Sequence, residues 1–127
     1  MSVLAATMLL FAAEGPVMIV SAPDAQYDIG YEELAAGQDH AALEAIENCR
    51  NLPADDPARQ INHAIALARL GEYDAARQSF AAAARNADRL ELETATGNWI
   101  DSRVLARRGL AMLDGGQFAD YEALAVR

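Results

Sequence analysis

The chain has 127 residues, which suffices for one domain with its own hydrophobic core. Hydrophobic residues make up 53% of the chain and charged residues 23%, a composition that excludes intrinsic disorder over most of its length. Its net charge of −9 repels phosphate groups, so general binding to nucleic acid or to an anionic membrane is disfavoured. The single cysteine, Cys49, excludes an internal disulfide bond.

The chain opens with an apolar run over residues 1–13, interrupted only by Ser2 and Thr7. The run is too short for a membrane span, which needs about 20 apolar residues. Its length suits the hydrophobic region of a secretory signal, although no Lys or Arg precedes it. Two interpretations stay open: export to the periplasm, which we favour, and an apolar element packed on a cytoplasmic protein.

Residues 17–20 read Val-Met-Ile-Val and lie between Pro16 and Pro23. Their β-branched side chains and the flanking prolines indicate an extended segment. A lone strand must pair with a sheet edge, lie in a groove or remain solvated, because its backbone groups need hydrogen-bond partners. We therefore divide the chain into an apolar N-terminal segment, residues 1–22, and a helical domain that is predicted over residues 23–127.

Capping and stop signals predict four helices in the next part of the chain. Ser21 or Asp24 can cap the first helix, and Asp56 followed by Pro57 marks the start of the third. Gly37 and Gly71 end the first and third helices. The predicted ranges are about 24–36, 39–50, 57–70 and 73–86.

The last part of the chain is predicted to begin with one long helix. Asp88 and Glu91 have the spacing of a capping box, which places the helix start near Arg89. No strong stop follows until the Asp-Gly-Gly sequence at residues 114–116, so the helix would span about 25 residues. A short closing helix is predicted from residue 118 to about residue 125.

A pattern of small and large residues recurs at an offset of 34 positions. Small side chains at these places allow two helices joined by a short turn to cross closely. Gly109, Gly116 and Phe118 repeat part of the same spacing in the last third of the chain. The matched pairs are Gly30 with Ala64, Gly37 with Gly71, Ala42 with Ala76, Ile46 with Phe80 and Cys49 with Ala83.

This pattern resembles the tetratricopeptide repeat (TPR) family. The residues that carry the resemblance are Gly37, Ala42, Ile46 and Cys49 in the first unit, and Ala64, Gly71, Tyr73, Ala76, Phe80 and Ala83 in the second. The resemblance implies an all-α fold of antiparallel helix-turn-helix repeats, an α-solenoid with two clear repeats plus a degenerate third or capping unit. It also implies a non-catalytic scaffold for protein–protein interaction; the alternative is a structural or self-associating subunit of a larger complex.

In that family the first helix of each repeat lines a concave groove, which implies a binding site here for an apolar or mixed peptide segment. The residues carried over to it are Tyr27, Tyr31, Leu34, Ala58, Ile61, Asn62, Ile65 and Arg69. On the predicted long helix, Trp99 and Arg103 lie four positions apart on one face and complete this surface. The same side chains can instead pack against residues 17–20, and we hypothesise that this segment docks there. For Trp99, a place in the core and a place in the groove are equally open.

No catalytic, metal or cofactor site is predicted. His40 and His63 lack metal-ligand spacing, and Cys49 paired with His63 is better explained as an inert contact. We therefore expect a protein or peptide partner, no nucleic acid and no integral membrane span, and we leave homo-oligomerisation open.

Overall fold

Helices dominate the computed structural model, which describes residues 18–21 and 29–118. The mainly helical character agrees with the sequence, and a small antiparallel sheet accompanies the helices. In chain order the elements of the described residues are β1 (Val20–Ser21), α1 (Tyr31–Ala35), α2 (Asp39–Asn48), α3 (Pro57–Arg69), α4 (Tyr73–Arg85), β2 (Glu91–Thr94), β3 (Trp99–Asp101) and α5 (Ser102–Asp114).

Helices α2, α3 and α4 begin and end close to where the sequence predicts. At the start of α3 the Asp56 carboxylate accepts a hydrogen bond from the Arg59 backbone N–H at 2.9 Å, and Pro57 occupies the first turn. Gly71, just after α3, has a φ of 79°, a conformation that glycine adopts without steric cost. These local signals therefore act where they stand in the sequence.

Helix α1 begins later than the sequence predicts for the first helix. Helix α1 begins at Tyr31 rather than near Asp24, because Gly30 has a φ of 71° and interrupts the helical backbone. A Cβ atom on Gly30 would also lie 2.9 Å from the Ile46 side chain. Of the two candidate caps, Ser21 belongs to β1 instead, and Asp24 lies outside the described residues.

The prediction of one long helix from residue 89 is wrong. Residues 91–101 form a β-hairpin that turns at Gly97, which has a φ of 80°. Strand β1 pairs with β2 and completes a three-stranded antiparallel sheet in the order β1-β2-β3. Asp101, rather than Asp88, caps the helix that follows, because its carboxylate accepts hydrogen bonds from the N–H groups of Arg103 and Val104.

The sheet turns one face toward the helices and the other outward. Val20, Leu92 and Ile100 share the inner face with Thr94, and Val20 and Leu92 are completely buried. β1 contacts α3, and β3 contacts α5. Glu93 and Trp99 are cross-strand partners on the opposite face, as the alternation of side chains along a strand requires.

Small residues are buried where the helices pack together. Ala42 on α2 and Ala64 and Ala76 in the next helix pair are fully buried, as the repeat pattern predicts. Helix α3 packs against both α2 and α4, while α5 packs against α4 and α3. A Cβ atom on Gly109 of α5 would overlap the ring of Phe80, so glycine lets α5 approach α4 at this point.

Several expectations fall outside the described residues: the apolar run over 1–13, the separation near residue 22, and the closing helix beyond Phe118. Among the helices of the described part, none combines the length and the apolar character that a membrane crossing needs.

Candidate functional site

Most of the side chains assigned to a peptide groove lie in the interior. Leu34, Ile61, Asn62 and Ile65 are each no more than 1% exposed, and Ala58 is buried with them. Tyr31 is partly buried against the same core. Tyr27 lies outside the described residues. The five buried side chains therefore contribute to the core rather than to an open surface for a second molecule.

Residues 18–20 cover this face of α3. Met18, Ile19 and Val20 are buried. The Asn62 side chain accepts a hydrogen bond from the Val20 N–H at 3.0 Å, and its amide donates to the Val20 carbonyl at 2.6 Å. Residues 18–20 therefore dock against α3, as hypothesised from the sequence; Val17 lies outside the described residues.

Arg69 is also engaged within the chain. Its guanidinium donates to the Leu34 carbonyl at 2.9 Å and forms an ion pair with Asp39 at 3.3 Å. The two charged side chains are only 5% and 14% exposed. Burial raises the pKa of the Asp39 carboxyl above its usual value, and the nearby Arg69 opposes that rise. The pair thus joins α3 to the start of α2.

Trp99 and Arg103 do not share a helix face, contrary to expectation, because the hairpin separates them. Trp99 lies on β3 and is 52% exposed, so it belongs neither to the core nor to the predicted groove. Arg103 lies in the first turn of α5 and donates two hydrogen bonds to the Asn86 carbonyl, at 2.9 and 2.6 Å. This contact satisfies a carbonyl at the end of α4 and holds α5 against it.

A cleft that the sequence did not indicate lies between the hairpin and α5. We call it the hairpin cleft, and its volume is about 430 Å³. Such a volume is within the range of about 300–1,000 Å³ that is usual for ligand pockets. Its lining residues are Met18, Thr94, Thr96, Asn98, Ile100, Leu105, Arg108, Ala111, Met112, Gly115 and Gln117.

The inner part of the hairpin cleft is apolar. Leu105 is 1% exposed and Met18 8%, while Ile100 and Met112 are partly buried beside them. Two methionines give this surface flexible, polarizable side chains that adapt to different partners. The inner surface can therefore receive an aliphatic or aromatic side chain by excluding water from it.

The rim of the hairpin cleft is polar on the hairpin side and cationic on the helix side. The Thr96 hydroxyl accepts a hydrogen bond from the Asn98 amide at 3.0 Å and lies 3.0 Å from the Thr94 hydroxyl. Arg108 is exposed on α5, and within the described residues no acidic group forms an ion pair with it. An anionic group entering the cleft can therefore bind the Arg108 guanidinium without displacing an acidic partner among the described residues.

No family model matches the chain, and neither a curated protein nor a solved structure matches it. In the described part of the chain, no group of three or more His, Cys, Asp or Glu residues could hold a metal ion.

Proposed function

We propose that the chain is a helical interaction module of the tetratricopeptide type, which binds an apolar or mixed peptide segment of a partner protein. The repeat interpretation is supported by the order of helix contacts. Each helix pair joined by a three-residue turn packs together, and α5 packs against both helices of the preceding pair. Stacking of this kind buries one continuous core along a solenoid.

We place the binding surface in the hairpin cleft. Five of the first-helix side chains that the resemblance assigns to a groove are buried, and one of them, Asn62, binds Val20, whereas the hairpin cleft is open. The observation that carries the proposal is the combination of an apolar interior with Arg108 at the rim. On a chain with a net charge of −9, an exposed arginine beside an apolar cleft favours a segment that carries apolar residues and a carboxylate.

The test is selection of peptides from a random display library on the full chain, followed by affinity measurement with synthetic peptides. We expect apolar sequences with an acidic residue or a free carboxyl terminus to be enriched. Arg108→Ala should weaken their binding at least about tenfold, because a hydrogen bond to a charged group contributes about 1.5–3 kcal/mol. Arg107→Ala, a neighbouring exposed arginine outside the cleft, is the matched control and should leave affinity unchanged.

A second variant tests the apolar part of the hairpin cleft. Met112→Asp places a carboxylate among partly buried apolar side chains and should abolish binding, while the unfolding midpoint shows that the fold persists. Enriched peptides that bind the wild type, Arg108→Ala and Met112→Asp equally well would remove the cleft from consideration. A library that yields no specific binder would count against peptide recognition itself.

Self-association is the second candidate, and two exposed large hydrophobic residues favour it. Trp99 is 52% exposed and Leu90 39%, and neither lines the hairpin cleft. Light scattering after size exclusion separates the two functions. A homo-oligomer that dissociates with Trp99→Ala supports assembly, whereas a monomer with an open cleft supports peptide binding.

A further inference from the structure

Glu47, His63 and Ser79 form a hydrogen-bonded row across three helices. His63 Nδ1 lies 2.9 Å from Ser79 Oγ, and His63 Nε2 lies 3.2 Å from Glu47 Oε1. Glu47 belongs to α2, His63 to α3 and Ser79 to α4, and successive members are 16 positions apart. A hydroxyl, an imidazole and a carboxylate in this order are the parts of a base-activated nucleophile.

The carboxylate selects the tautomer of His63 that suits this role. An ionised carboxylate only accepts hydrogen bonds, so the contact with Glu47 requires the hydrogen of neutral His63 to be on Nε2. Nδ1 then carries a lone pair and accepts a hydrogen bond from the Ser79 hydroxyl. Both ring nitrogens of His63 therefore have partners in this row, and neither of them is Cys49, which the sequence allows as a partner.

The row opens into a second pocket, which shares no lining residue with the hairpin cleft. Its volume is about 470 Å³, and Ser79, His63 and Glu47 all line it. Ser79 and His63 are partly exposed, so a small molecule reaches the hydroxyl from solvent. Ile46, Ala54 and Ala82 provide apolar wall beside it, which suits a short acyl chain.

Arg59 also lines this pocket, but its guanidinium is engaged with the backbone. It donates to the Leu52 carbonyl at 2.7 Å and to the Glu47 carbonyl at 3.5 Å. These bonds hold the end of α2 against α3 and so fix the position from which Glu47 reaches His63. The row is thereby held on three packed helices rather than on loops, which favours a constant geometry.

We propose that Ser79 is an activated nucleophile that takes up the acyl group of small esters. His63 Nδ1 accepts the proton of the Ser79 hydroxyl while Oγ forms a bond to the acyl carbon. The bond between that carbon and the alcohol oxygen breaks, and the alcohol leaves with the proton that His63 carried. The product is an acyl-serine with neutral His63 restored, and Glu47 stabilises the imidazolium that exists between the two proton transfers.

The test uses the full chain with p-nitrophenyl acetate, followed by intact mass measurement and peptide mapping. We expect one acetyl group on Ser79, added at least about 100-fold faster in the folded chain than in the same chain unfolded in urea, since a positioned base contributes about 10²–10⁴-fold. This comparison follows one hydroxyl in one sequence, so it needs no variant. Acetylation of Ser79 no faster in the folded chain than in the unfolded one, or only on other groups, would overturn the proposal.

Three variants separate activation from a merely structural row. His63→Gln keeps hydrogen-bonding capacity at this position but provides no base, so Ser79 should lose about 100-fold in rate although the unfolding midpoint changes little. Glu47→Gln should slow the reaction about tenfold, because a neutral amide stabilises the imidazolium less than a carboxylate does. Glu44→Gln, an exposed residue of the same helix that does not line the pocket, should not slow it. Unchanged Ser79 acetylation in His63→Gln would show that the row only supports the fold.

Discussion

The side-chain amide of Asn62 binds both backbone groups of Val20, so that one residue of α3 takes the place of a neighbouring strand for β1. The oxygen accepts from the Val20 N–H, and the nitrogen donates to the carbonyls of Val20 and Ile29. On its other side β1 pairs with β2. Asn62 therefore links the sheet to the helices at a position that is completely buried.

Replacing Asn62 should be among the most destabilising changes to the chain. Asn62→Leu has a similar volume but leaves the N–H of Val20 and the carbonyls of Val20 and Ile29 without these partners. Each unsatisfied buried group costs about 1–3 kcal/mol, so we expect the free energy of unfolding to fall by at least about 3 kcal/mol. Urea denaturation measures it, with the exposed Asn48→Leu as control. Equal losses in the two variants would contradict the assigned role.

The same contact explains which parts of the fold the sequence could predict. Helices α2 to α4 follow from local signals: Asp56 and Pro57 at one start, Gly37 and Gly71 at two ends. The hairpin does not follow from local signals, because β2 pairs with the strand that contains Val20, more than 70 positions earlier in the chain. Asp88 and Glu91 offered a local capping pattern, and the distant pairing prevailed over it.

The candidate sites were hidden for the same reason. The hairpin cleft is lined by Met18, by the hairpin and by α5. Because the sequence predicts one long helix from residue 89 instead of the hairpin, it cannot predict a cleft whose rim is formed by the hairpin turn. The resemblance assigns Asn62 to the peptide groove, whereas in the structure its side chain binds the backbone of Val20 and Ile29. Glu47, His63 and Ser79 lie on three predicted helices, and only the crossing of those helices brings them into hydrogen-bond distance.

Gly109 should not tolerate even a methyl group. Alanine normally stabilises a helix interior by about 1 kcal/mol relative to glycine. At Gly109 the added Cβ would overlap the Phe80 ring, so we expect Gly109→Ala to destabilise by about 1–3 kcal/mol, as overpacking does. The thermal unfolding midpoint gives the comparison. Gly115→Ala is the control, because Gly115 has no positive φ and its nearest contact would be 3.3 Å away.

A compensating change identifies the cause of that loss. Phe80→Leu alone removes a fully buried ring and should destabilise the chain. If Gly109→Ala destabilises the chain by overlap with the Phe80 ring, the double variant Gly109→Ala/Phe80→Leu should lose less stability than the two single losses added together, by at least about 0.5 kcal/mol. Strict additivity would mean that Phe80 is not the group that the methyl meets.

Asp101 should make the start of α5 sensitive to acid. A hydrogen bond from Arg89 at 2.8 Å, aided by the N–H groups of Val104 and Arg103, lowers the pKa of the Asp101 carboxyl. A carboxyl with a lowered folded-state pKa stabilises the fold above its unfolded value of about 3.9, and the contribution is lost as pH falls through the folded value. Asp101→Asn should therefore be less stable than wild type at about pH 7, by less than about 1 kcal/mol because Arg89 is largely exposed, and this difference should shrink as the pH falls through the folded pKa of Asp101.

Asp88→Asn is the control for this experiment, because Asp88 is the cap that the sequence predicts and the structure does not use. It should be as stable as wild type across the same range of pH, measured by urea denaturation. A pH-dependent loss in Asp88→Asn and none in Asp101→Asn would favour the long helix over the hairpin.

Arg69→Ala should leave a buried carboxylate without its cation. Removing one member of a buried ion pair costs about 3–5 kcal/mol, and the 14% exposure of Asp39 places the expected loss of stability near the lower figure, about 3 kcal/mol at about pH 7.

This loss should depend on pH. Burial already raises the pKa of Asp39, and removing Arg69 raises it further. A group with a raised folded-state pKa contributes stability that is full below its unfolded pKa and is lost as pH rises through the folded value. The difference in stability between wild type and Arg69→Ala should therefore narrow as the pH falls and Asp39 becomes protonated in both chains. Arg77→Ala breaks the exposed ion pair with Asp114 and should cost under about 1 kcal/mol at neutral pH. A gap for Arg69→Ala that stays constant with pH would show that its loss comes from the Leu34 contact instead.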